Sequence, residues 1–181
     1  MLEKYVIIRA LEIVLSNPNI KFSVNGLAKT AKIAPSAAKY SLDYMFKQDL
    51  ITRNVVGRTY QYQANLLNGV CRQWKILFSL QHIHESKLIE NLKKTPTVTN
   101  ITLYGSVAMG IDDNKSDIDI LVIVTATRSH SIELTEIAGR ELNISMYSPM
   151  EWRKKAKRDK AFYDNVVLNS ISLFGEKPVV I

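Results

Sequence analysis

The stretch from Ile101 to Val124, ITLYGSVAMGIDDNKSDIDILVIV, constrains this chain more than any other. The apolar run Ile101, Leu103, Tyr104 stops at Gly105-Ser106, and the small residues Val107-Ala108-Met109-Gly110 follow. Ser116-Asp117-Ile118-Asp119 then leads into Ile120–Val124. The pattern predicts strand, glycine turn, short helix, acidic turn, strand. A Gly-Ser between strand and helix offers backbone N–H groups and one hydroxyl to a phosphate. Asp117 and Asp119 alternate at a strand start, so both carboxylates leave on one face. Neighbouring carboxylates repel unless a cation lies between them. Mg²⁺ is commonly bound through one or two carboxylates plus substrate phosphates. Phosphate cradle and carboxylate pair together point to a metal-assisted nucleotide site. The competing reading is an acidic turn between two core strands, capped by Ser116. It explains the alternation but not the glycine-serine turn.

The spacing resembles the signature of nucleotidyltransferases of the DNA polymerase β superfamily, above all the minimal nucleotidyltransferases of archaea and bacteria. Gly105, Ser106, Ala108, Gly110, Ser116, Asp117, Ile118 and Asp119 are the matching positions. The resemblance implies that Gly105 and Ser106 bind the phosphates of a nucleoside triphosphate. It implies that Asp117 and Asp119 are catalytic and hold Mg²⁺. The family commonly adds a third carboxylate on the following strand, which helps bind a second metal and takes the acceptor's proton. Here that strand reads Leu142-Asn143-Ile144-Ser145-Met146-Tyr147, with no acid, and Glu141 lies just before it. An amide or hydroxyl cannot act as that base at neutral pH.

The N-terminal third has a different rhythm. Leu2–Ser16 reads as a helix stopped by Asn17-Pro18-Asn19. Ser23 is a natural N-cap for a second helix over Val24–Thr30. After Ile33-Ala34-Pro35, Ser36 opens a third helix to about Gln48. Ile51–Val55 and Arg58–Gln63 read as a hairpin turning at Gly57. This order resembles a winged helix-turn-helix domain. The resemblance implies that the third helix enters the major groove and the hairpin touches phosphate. The candidate contacts to double-stranded DNA are Ser36, Lys39 and Tyr40 on the helix, with Arg53 and Arg58 on the wing. Residues 1–63 hold nine Lys/Arg against four Asp/Glu, and the whole chain carries a formal charge of +7. Both favour an acidic partner. The third helix is nonetheless thin in arginine, and winged helices also dock proteins.

The expected organisation is mixed α+β. Residues 1–64 form the winged helix-turn-helix, 65–95 a helical connector, and 96–181 a nucleotidyltransferase-like domain with a small mixed sheet flanked by helices. The stripe Leu66, Val70, Trp74, Leu77, Leu80 on the connector suits core packing or the seam of a homodimer. His82 and His84 diverge on a helix and are poor joint metal ligands. Beyond Val124, Thr125–Ser131 reads as a turn, Ile132–Leu142 as a helix and Asn143–Tyr147 as a strand. Ser148-Pro149-Met150-Glu151 starts another helix, whose Arg153, Lys154, Lys155, Lys157 and Arg158 either face solvent or attract triphosphate or nucleic acid. A helix around Phe162 and Val166 and a strand over Ser170–Phe174 close the chain.

Cys71 is the only cysteine, so no intramolecular disulfide forms, and its apolar neighbours suggest packing. No run approaches the roughly 18 apolar residues of a membrane span. A soluble, cytoplasmic protein is expected. Two functions of different class follow. One is a Mg²⁺-dependent nucleotidyltransferase whose acceptor is a protein, a small molecule or a nucleic-acid end. The other is a transcriptional regulator whose impaired nucleotidyltransferase-like domain senses a nucleotide.

Overall fold

The computed structural model describes residues 5–94, 97–125 and 134–180. The fold is mixed α+β. The chain divides into two compact units, Met1–Phe78 and Ser79–Ile181.

The first unit is a winged helix-turn-helix built from α1 (Val6–Ser16), α2 (Val24–Ala31), α3 (Pro35–Lys47), β1 (Ile51–Val56) and β2 (Thr59–Ala64). Ala10, Leu11, Val14 and Leu15 of α1 meet Leu27, Ala28 and Ala31 of α2 and Ala38, Leu42 and Met45 of α3 in one core. The Ser23 hydroxyl accepts the Gly26 N–H at 3.0 Å and caps α2. α2 ends on Lys32 at φ 51, whose N–H bonds back to the Ala28 and Lys29 carbonyls. The third helix opens one residue earlier than the expected start at Ser36. Pro35 takes the first helical position, where its missing N–H costs nothing. Val56 pairs with Thr59 across the wing turn, with Gly57 at φ 60. Phe22 and Tyr62 exchange backbone bonds at 2.8 and 2.9 Å, tying the wing to the chain before α2. Tyr62 is therefore buried while Tyr60 is exposed.

The connector forms α4 (Gly69–Glu85) and α5 (Leu88–Lys93). The boundary between the units falls inside α4. Its buried face is rotated from the expected stripe. Val70 and Leu77 are exposed, whereas Cys71, Lys75 and Phe78 are buried. A polar residue hid this face from the periodicity. Lys75 lays its stem along the apolar side and donates its Nζ proton to the Leu15 carbonyl at 2.8 Å, at the end of α1. Burial pushes the Cys71 thiol up, in keeping with packing.

The second unit continues with β3 (Val98–Tyr104), α6 (Gly105–Met109), β4 (Ile118–Val124), β5 (Glu136–Ile137), β6 (Arg140–Tyr147), α7 (Pro149–Arg158), α8 (Lys160–Asn169) and β7 (Ile171–Phe174). The strands make one mixed sheet in the order β5-β6-β4-β3-β7. β4 runs antiparallel to β3 and parallel to β6. Ile118, Ile120, Val122 and Val124 face one side, with Leu88 and Leu92 of α5 in the same core. Leu121 and Ile123 face the other, against Trp152 of α7 and Val166 of α8. Asp117 and Asp119 share that second face by strand alternation.

In its described part, from Leu134 on, the expected helix over Ile132–Leu142 is a hairpin instead. Residues 126–133, including most of the expected turn after Val124, lie outside the described residues. From Glu136 the chain makes β5, turns at Ala138 (φ 52) and Gly139 (φ 74), and returns as β6. Two consecutive positive φ values are what a tight hairpin demands, and glycine tolerates them best. Among the described residues no helix is long and apolar enough to cross a membrane.

Candidate functional site

Tyr104 at the end of β3 pairs with Asp119 near the start of β4. The next residue, Gly105, takes φ 78, and its Cα lies against the Asp119 carboxylate. A Cβ there would stand 2.5 Å from Asp119 Oδ2. The glycine is needed for its backbone angle and for this close approach. Ser106 follows in the first turn of α6. That helix is only five residues long and has no side-chain cap from Tyr104. What it offers an anion is local: backbone N–H groups of the turn and the Ser106 hydroxyl.

Asp117 is exposed and Asp119 half-buried. In the parallel ladder Asn143 stands opposite Asp119. Its Nδ2 donates to Asp117 Oδ2 at 3.0 Å. Burial pushes the Asp119 carboxyl above its ordinary range. The Asn143 hydrogen bond opposes this, the Asp117 charge adds to it, and Arg140 pulls it back. Among the described residues no group of three or more His, Cys, Asp or Glu could hold a metal. Glu141 is exposed and pairs across the hairpin with Glu136. The donor set is thus two carboxylates on one face. It suits a hard divalent cation that completes its shell with phosphate and water oxygens.

Ser116 is occupied elsewhere. Its Oγ accepts from the Asp113 N–H and donates to Asp113 Oδ1, both at 3.0 Å. The Lys115 N–H also donates to Asp113 Oδ1. These bonds hold the Asp113 carboxyl below its usual range. Arg140 locks the same loop from β6. Its Nε donates to the Ser116 carbonyl at 2.7 Å, and its Nη1 pairs with Asp112 Oδ2 at 3.0 Å. The side chains are 13% and 4% exposed, so this is a buried ion pair directly before the aspartates.

The family model described as "Polymerase beta, Nucleotidyltransferase" matches residues 86–178, just over half of the chain. The chain belongs to this family. Among curated proteins no relative matches it. Two solved structures resemble it loosely. One is MepR, a transcription regulator of the Staphylococcus aureus multidrug efflux pump MepA, at 16% identity and TM-score 0.38, covering 50% of this chain and 71% of that one. The other is the S. aureus MepR–DNA complex, at the same identity and TM-score, covering 51% and 73%. A likeness this loose decides nothing about this chain.

In the nucleotidyltransferase unit the face carrying the aspartates continues into Tyr104, Ser145 and Tyr147. Burial pushes the Tyr104 phenol up, and its hydrogen bond with Ser145 opposes that shift. The Tyr104 ring meets Phe162 edge-on at 5.5 Å. Lys155 alone of the basic run on α7 is half-buried; the other four are exposed. Its Nζ pairs with Asp159 at 2.8 Å and lies 4.9 Å from the Phe162 ring centroid.

The five winged-helix candidates are all exposed. Ser36 and Tyr40 lie on the first half of α3. Lys39 pairs with Asp43 at 2.6 Å on the same helix. Arg53 is sandwiched between the rings of Phe46 and Tyr60, at 4.3 and 4.5 Å. Arg58 stands in the wing turn after Gly57.

Sequence reasoning missed Arg140 and Tyr104. Arg140 was hidden because its segment read as helix; the Ala138-Gly139 pair was the available signal. In the sequence Tyr104 is only the end of an apolar run.

Proposed function

We propose that this protein transfers a nucleoside monophosphate from a nucleoside triphosphate to an acceptor, with Mg²⁺ as cofactor, while its winged helix binds double-stranded DNA. Gly105 and Ser106 receive the phosphates. Asp117 and Asp119 hold the cation, which when bound neutralises phosphate charge around the reacting α-phosphorus. An acceptor hydroxyl oxygen forms the new bond to that phosphorus, the bond to the bridging oxygen breaks, and pyrophosphate leaves. The acceptor's proton passes to solvent, because the amide of Asn143 cannot take it. The chain contributes positioning and charge neutralisation, which carry most of the catalysis in phosphoryl transfers.

The observation that supports this best is the contact of the Asp119 carboxylate with the Cα of Gly105. It brings a carboxylate next to the turn that opens α6, an arrangement that suits a cation bridged to phosphate. Ser36, Lys39, Tyr40, Arg53 and Arg58 are the proposed DNA contacts. Val70 and Leu77, exposed on α4, are the apolar residues available to a homodimer.

Asn143, standing where a proton-accepting carboxylate would be useful, favours a second reading. In it the protein is a DNA-binding regulator that senses a triphosphate without turnover. Incubation with labelled triphosphates, Mg²⁺ and candidate acceptors separates the two; the acceptors are proteins, nucleic-acid ends and the chain itself. Label transfer that needs Mg²⁺ and is lost in Asp117→Asn supports the transferase. Binding without transfer leaves the sensor, and absence of binding rejects both.

A further inference from the structure

We propose that Asn143 is a positioning residue that ties Asp117 to Asp119 and limits the site to one divalent cation. The inference rests on the Mg²⁺–triphosphate reading above and deepens it.

The carboxylates leave β4 two residues apart on one face, and nothing covalent fixes their separation. Asn143 comes from the neighbouring parallel strand, in register with Asp119. Its amide nitrogen reaches past that partner to Asp117 Oδ2 at 3.0 Å. One side chain thus bonds one acid and stands in register with the other. A primary amide carries two N–H donors, so it can serve two carboxylates at once, as a small cation would. The pair is held ready before a metal arrives, and the residue that orients a ligand sets its affinity.

The same bond sets an upper limit. It uses a lone pair on Asp117 Oδ2, and Asn143 brings no negative charge of its own. Among the described residues no third acid completes a cluster. Asp119 Oδ2 is backed by the Cα of Gly105, which closes that side. Two carboxylates, one of them hydrogen-bonded and one walled on one side, offer enough oxygen for a single cation. A second divalent ion would meet too little charge. Asn143→Asp exchanges a donor for a carboxylate at the point between the pair. It creates a three-acid site and removes the tie that steadied two.

Mn²⁺ binding tests this on the full chain, counted by loss of the free-ion electron paramagnetic resonance signal with a non-hydrolysable triphosphate present and corrected for the loss that the same triphosphate causes without protein. The expected result is one Mn²⁺ per chain for the wild type and two for Asn143→Asp. Asn143→Ala adds no charge and serves if the aspartate variant does not fold. It should keep one Mn²⁺ per chain at an affinity about 10–100-fold weaker, the usual consequence of losing a residue that orients a ligand. Two Mn²⁺ in the wild type, one in both wild type and Asn143→Asp, or unchanged affinity in Asn143→Ala overturns the inference and leaves the nucleotide reading standing. No Mn²⁺ in the wild type overturns both.

Discussion

The two units hold their functional side chains by different means. In Ser79–Ile181 the two candidate carboxylates are each held by a neighbouring group. Asp119 sits against a backbone carbon, Asp117 is held by Asn143, and the loop before them is locked by the Arg140–Asp112 pair. In Met1–Phe78 the candidates stand on exposed surface, and the core beneath does not depend on them. Lys39 and Arg53 are steadied by local partners, Asp43 and two rings. Where the architecture sets a group, changing the architecture should change binding and stability together. Where a group rests on the surface, the two should separate.

The sharpest way to break this contrast is Arg140→Met. It removes the Arg140 side of the Arg140–Asp112 pair beside the site, and breaking a buried pair typically costs about 3–5 kcal/mol. Denaturant unfolding should show that loss, and a change near zero would mean the loop is held otherwise. Gly105→Ala should follow. A non-glycine residue in left-handed backbone costs about 1–2 kcal/mol, and the new methyl must also displace Asp119. Triphosphate affinity should therefore fall together with the melting temperature. In the winged helix the opposite pattern is expected. Lys39→Ala with Arg58→Ala should weaken duplex DNA binding and reduce the slope of log affinity against log salt by about two, with no change in melting temperature. A gel shift series without that change would remove these residues from the interface.

The smallest effect concerns pH. Asp119 has a raised carboxyl in the fold, so between the ordinary carboxylate value and the raised one the folded state binds more protons than the unfolded state. Metal-free stability should fall as pH rises through that window and level off above it. Asp119→Asn should abolish the fall, leaving a variant more stable than wild type at neutral pH and no better below the window. Urea midpoints across pH, taken with a chelator present, measure it.

The glycine turn and the alternating aspartates were legible because each is a local rule: a backbone angle only glycine holds easily, and a two-residue strand period. The winged helix was legible for the same kind of reason, with Ser23 capping one helix and Gly57 turning the wing. Residues whose meaning comes from a distant partner were not. Lys75 reads as solvent-facing until the Leu15 carbonyl is beside it. Arg140 reads as a helix residue until Ala138 and Gly139 fold the chain back and carry it to Asp112. Asn143 could be flagged as a missing acid, but its bond to Asp117 depends on the β4–β6 register, which no local pattern encodes.

The central claim is that Asp117, Asp119 and the Gly105-Ser106 turn grip one magnesium–triphosphate ligand. Calorimetric titration of a non-hydrolysable triphosphate with Mg²⁺, into wild type and into the Asp117→Asn, Asp119→Asn double variant, tests it most directly. The account predicts saturable, Mg²⁺-dependent binding to the wild type and none to the double variant, with unfolding curves that keep the same cooperativity. Equal binding by both proteins, or none by the wild type, would contradict it.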